Sequence, residues 1–127
     1  MTENNSAWEN LKSIGLDLIS YDSLRSALSN LYSTRYGYIE DVENRVDDGY
    51  QWNQLYPQIL KHINLDTLWV SGTPENFEEL VNDREFLEVI KMNIFLRNFM
   101  QQQYRAIQKN VISVLDQVDN HIKYLKK

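Results

Sequence analysis

Apolar residues recur at three- and four-residue spacings over most of this chain, while strand-type alternation is scarce, so the pattern predicts an all-α fold. A first short helix is expected over Ala7 to Ile14, with Asn5 or Ser6 as its cap, Trp8, Leu11 and Ile14 on one side, and Gly15 as its stop. Residues 16–20 then cross over. Ser20 or Asp22 opens a long run whose apolar positions are Leu24, Leu28, Leu31, Tyr38, Val42 and Val46, continuing past Gly49 and Asn53 to Tyr56. This spacing predicts a helix over about 22–55, weakened but not ended at Gly37.

Pro57 lacks an N–H and crowds the carbonyl four residues back, so the helix bends or restarts there, with Ile59, Leu60 and Ile63 still carrying an apolar face. The stretch 64–72 has no periodicity and is expected to be an ordered connection whose Leu68, Trp69 and Val70 plug one end of the core. Thr73 as cap and Pro74 at the first helical position predict a short helix ending near Val81. Asn82 or Asp83 caps the last helix, whose apolar positions begin with Phe86 and Ile90, pass through Phe99, Tyr104, Ile107, Val111, Leu115 and Val118, and end with Ile122 and Leu125. It contains neither Gly nor Pro and extends over about 83–125, roughly 60 Å at 1.5 Å per residue. Two helices of this length pair side by side, which predicts one domain over 1–127, an elongated antiparallel helical bundle with shorter helices packed across it.

Composition narrows the chemistry. In 127 residues with 43% hydrophobic side chains there is enough apolar material for a packed core without metal or disulfide. The absence of cysteine removes thiolate nucleophiles and cysteine zinc sites together. Apolar runs such as Ile94 to Leu96 fall far short of the ~20 residues a membrane-spanning helix needs. The polar start Met1 to Ser6 has no signal-peptide character, so the chain taken as a complete protein is expected to be soluble and cytoplasmic. Charge is uneven: residues 1–90 carry net −10 and residues 91–127 net +5. Arg97, Arg105, Lys109 and Lys123 do not share one helical face, and the whole chain is acidic, so nucleic acid is not an expected partner. Lys123, Lys126 and Lys127 instead suit a helix C-terminus.

Motifs for catalysis are missing. His62 and His121 lack the Glu-x-x-His spacing of a bundle metal site, the four glycines are too dispersed for a phosphate loop, and no serine sits in a Gly-x-Ser-x-Gly turn. Glu40, Glu43 and Asp47 share a helical face with Asp41 and Asp48 nearby, but a solvated face or pairing with the basic last helix accounts for them. The acids from Glu75 to Glu88 belong to first turns. The reading is therefore a non-enzyme with no catalytic, metal or cofactor-binding residues and no cofactor. Aromatic residues are the one concentration left: Tyr32, Tyr36, Tyr38, Tyr50 and Tyr56 fall with Trp52 inside 25 positions. Tyr38 and Tyr56 fit the buried stripe, whereas Tyr36, Tyr50 and Trp52 make up a candidate interaction surface, the alternative being that they seal helix grooves.

The segment from Ser6-Ala7-Trp8-Glu9-Asn10-Leu11 through Gly15-Leu16-Asp17-Leu18-Ile19, with Asp22-Ser23-Leu24-Arg25, Leu31-Tyr32, Tyr56-Pro57, Phe77-Glu78-Glu79-Leu80 and Asp83 to Phe86, resembles the C-terminal region of a family of small bacterial single-span membrane proteins of unknown function from the Bacteroides group. The resemblance covers nearly the whole chain and rests on packing and capping residues. It implies that a basic N-terminus and one hydrophobic helix precede this region, that the region faces the periplasm, and that membrane attachment is through a segment absent from this chain. No catalytic residue is carried over. Two functions are expected in order: a helical interaction or structural domain at the cell envelope, binding a protein partner or itself, and a periplasmic small-molecule-sensing bundle.

Overall fold

The computed structural model describes residues 5–68 and 70–126, so Trp69 of the expected plug and Lys127 of the C-terminal charge set lie outside the described residues. The described chain is all-α apart from one hairpin. Helix α1 spans Ser6–Ile14 after Asn5 and stops at Gly15, whose φ of 120° is open to glycine and strained for other residues. Trp8 is buried and Leu11 half-buried, but Ile14, expected beside them, is 70% exposed. A 3₁₀ turn, Leu16–Leu18, leads to the second helical run.

That run, α2, covers residues 22–62 and is not a uniform α-helix. Its α-helical stretches Asp22–Ser29, Tyr36–Asp41, Asp48–Tyr50 and Tyr56–His62 are separated by π-helical turns at Asn30–Arg35, Val42–Asp47 and Gln51–Leu55. Each π turn takes in an extra residue and turns everything after it by about 100° relative to an α-helix. The expected stripe is corrected accordingly: Tyr38 and Val46 are half exposed, while Ile39 is fully buried and Asp47 half-buried. The later buried positions are Leu55, Gln58 and His62. Pro57 sits in the first turn after the third π segment, where the wider turn relieves the missing N–H and the crowded carbonyl, and α2 restarts and continues to His62.

Strands β1 (Ile63–Thr67) and β2 (Ser71–Pro74) form an antiparallel hairpin where an irregular connection was expected. A Cβ at Gly72 would lie 2.7 Å from Ile63 Cγ2 and 2.9 Å from the Asn64 carbonyl oxygen, so this register requires glycine. Leu68 and Val70 are exposed and do not plug a core. Thr73 and Pro74 belong to β2 rather than to a helix start. Helix α3, Phe77–Asn82, is capped instead by Asn76, whose side chain accepts from the Glu79 N–H at 3.2 Å. Asp83 then caps α4, accepting from the Phe86 N–H at 3.0 Å, and α4 runs unbroken over Arg84–Leu125.

Contacts divide the chain into two compact units, Met1–Asp41 with Gln101–Lys127, and Val42–Met100. In each unit the α2 and α4 segments run antiparallel. In the first, Tyr21 stacks on His121, while Leu31 shares a pocket wall with Asn110 and Val114. In the second, Asp47 pairs with Arg97 and His62 meets Phe86. Leu24, Leu31, Ile107 and Val114 are buried in the first unit, and Leu55, Leu80, Leu96 and Met100 in the second.

The buried face of α4 repeats every seven residues: Asn93, Met100, Ile107, Val114 and His121 alternate with Leu96, Gln103, Asn110 and Gln117 at steps of three and four, all of them buried or half-buried. Of the expected apolar positions, Ile107 is buried and Phe86, Ile90, Val111 and Val118 are half-buried, but the others are not. Phe99, Tyr104, Leu115, Ile122 and Leu125 are exposed, at 37, 38, 59, 44 and 65%. No helix among the described residues is long and apolar enough to cross a membrane.

Candidate functional site

The three aromatic candidates do not share one environment. Tyr36 belongs to the first unit, half-buried, with its ring edge-on to Tyr32 at 5.3 Å. It lines an apolar groove of about 520 Å³ with Tyr104, Ile107, Gln108, Val111 and Ile112. Tyr50 and Trp52 belong to the second unit. The Tyr50 hydroxyl donates to the Val89 carbonyl of α4, and desolvation raises its pKa, an effect the Asn93 backbone partly opposes. Tyr50 is thus a clasp between helices. Trp52 is 66% exposed, edge-on to Tyr56 at 5.0 Å.

A polar site that sequence reasoning missed gathers at the end of α2. Gln58 and His62, four residues apart on one face, are both more than nine-tenths buried. His62 Nε2 lies 3.0 Å from Asp83 Oδ2, yet its N–H direction makes no hydrogen bond, and Gln58 Oε1 also has no partner. The Phe86 ring meets His62 edge-on at 5.4 Å. Asp83 serves two purposes: Oδ1 caps α4, and Oδ2 faces His62 and, at 3.8 Å, Lys61. The Phe86 N–H holds the Asp83 carboxyl below its ordinary range against the opposing effect of partial burial, with Lys61 and His62 adding to the lowering. Beside them a cleft of about 350 Å³ is lined by Lys61, His62, Glu75, Asn76 and Glu79. Its partners come from α2, the segment after β2 and α3, 13 to 18 residues apart in sequence, so no local motif announces it.

A second histidine lines a different cavity in the first unit. Tyr21 and His121 stack at 5.7 Å and 11°, and with Ser20, Gln117, Asn120 and Tyr124 they border about 560 Å³ of mostly apolar space. The acidic face of α2 is partly neutralised: Asp47 pairs with Arg97 and accepts from Gln51 at 3.3 Å. Among the described residues no three His, Asp or Glu side chains are placed to hold a metal ion together. Comparison with protein-family models, curated proteins and solved structures finds no match for this chain.

Proposed function

We infer that this chain is a helical interaction domain, without catalytic chemistry of its own, that acts through the apolar face of α4. The observation that carries this reading is the exposure of Ile112, Leu115 and Leu125, each more than half accessible, on a helical segment of the first unit already packed along its other face. Large apolar side chains concentrated along one element mark contact surfaces. The sequence resemblance supports placing the domain on the periplasmic side of a membrane-anchored bacterial protein, with the anchor supplied by a segment outside this chain. A photoreactive residue in place of Ile112 or Leu115 is expected to give discrete cross-linked adducts in the host cell. No adduct at either position sinks the reading.

The His62 cleft favours a second reading, a small-molecule-sensing bundle. His62 lines a cleft of about 350 Å³ with Lys61, Glu75, Asn76 and Glu79, a concave polar setting that suits a small charged molecule. Amino acids and dicarboxylates added to the protein should then shift the His62 ring signals in NMR spectra, leaving those of His121 in place. Unmoved His62 signals across that panel set this reading aside.

A further inference from the structure

Helix α4 carries two heptad seams, only one of which is buried. Beside the buried seam of Ile107, Val114 and His121 runs another alternation of four and three: Gln108, Val111, Leu115, Val118, Ile122 and Leu125. It lies about a quarter turn round the helix, and every member except Gln108 is apolar. Leu115, Ile122 and Leu125 are exposed, and Val111 and Val118 half-buried. An exact seven-residue repeat of this kind fits the knobs and holes of a helix lying alongside.

We propose that the helix alongside is α4 of a second copy of this chain, running antiparallel, with Ile112 at the two-fold axis. The partner follows from the charges. In this seam Gln108, Leu115 and Ile122 take the a positions and Val111, Val118 and Leu125 the d positions, which puts Arg105, Ile112 and Asp119 at the e positions of its outer flank. Antiparallel pairing layers a on d. With Leu115 on the partner's Val111, the e positions of the two copies face each other: Arg105 meets the partner's Asp119, Ile112 the partner's Ile112, and Asp119 the partner's Arg105. Sliding by one heptad sets Ile112 against a charge and loses both ion pairs. Parallel pairing opposes the e residues to Ile107, Val114 and His121, which carry no complementary charge and face the buried seam. Neither Arg105 nor Asp119 makes an ion pair within its own chain among the described residues. Ile112, at the centre, is 54% exposed.

The inference rests on the interaction reading and names its partner. Sedimentation equilibrium of the full chain should give twice the 15.1 kDa chain mass at micromolar concentration. Arg105→Asp should weaken the dimer at least about tenfold by setting like charges together, and Arg105→Asp with Asp119→Arg should restore it to within about threefold. Because the chain lacks cysteine, orientation is read directly. Ile112→Cys should cross-link to its own counterpart on oxidation, and Asp119→Cys should not, since the two copies of residue 119 are offset by roughly 18 Å along the antiparallel axis. A monomeric mass throughout, a double variant as weak as the single one, or equal cross-linking at 112 and 119 overturns the proposal. A monomer that still forms adducts at Ile112 or Leu115 in cells overturns self-pairing alone; a monomer without adducts overturns the interaction reading with it.

Discussion

Ile39→Ala should destabilise the protein by about 3 kcal/mol, whereas Tyr38→Ala should change stability by no more than about 0.5 kcal/mol. Ile39 is completely buried, so the truncation removes transfer free energy and leaves a cavity. Tyr38, its neighbour, is 49% exposed. In urea, at an m-value of roughly 1.5 kcal/mol/M, the Ile39 variant should lose about 2 M in midpoint with m unchanged. The pair measures a backbone feature. If the helix kept its α-helical period past Asn30, position 38 would face inward and position 39 outward, and the two costs would exchange. The π turn at Asn30–Arg35 makes Ile39 the core residue, so a larger loss at Tyr38 than at Ile39 removes that turn from the account.

The same turns explain how far the sequence could be read. The all-α class, the Gly15 stop, the Asp83 cap and the last helix were legible because each depends on local chemistry: glycine at positive φ, a carboxylate beside free N–H groups, a long stretch without Gly or Pro. The inward face of α2 was legible only in part: Leu24, Leu31 and Val42 are buried as expected, but Tyr38 and Val46 are not, since a π turn has no residue signature and shifts the period by a residue. On α4 the error ran the other way. Gln103, Asn110 and Gln117 sit on the buried seam and read as surface, while Leu115 and Ile122 sit outside and read as core. Apolar content marks a face that needs covering without saying whether the cover comes from the same chain. Thr73-Pro74 was misread because a cap signal and a strand end share those residues, and Asn76 with Glu79 three residues on supplied the actual cap. His62 was set aside for want of a carboxylate at helical spacing, and Asp83 approaches it from the start of another helix.

Trp8→Ala should cost about 3 kcal/mol and release α1. At nine residues α1 is too short to be stable by itself, so its order depends on what it buries, and Trp8 is the one residue of that helix buried outright. The indole stacks on Tyr32 at 5.0 Å and 11°, while the Lys12 ammonium sits 5.8 Å from the indole centroid. Loss of the ring therefore removes packing area and stacking together. Hydrogen exchange should show protection lost over Ser6–Ile14, and Trp8→Phe should keep roughly half of the stability lost by the Ala variant. Unchanged protection in α1 would show that Trp8 is not its anchor. The consequence reaches the proposed interface, because Tyr32 meets Tyr36 edge-on, and Tyr36 borders the groove that holds Val111 and Ile112. Rings from Trp8 to Tyr36 thus connect α1 to one wall of that groove. Trp8→Ala should weaken self-association less than Arg105→Asp does, since it loosens the support of the surface and leaves the paired charges in place.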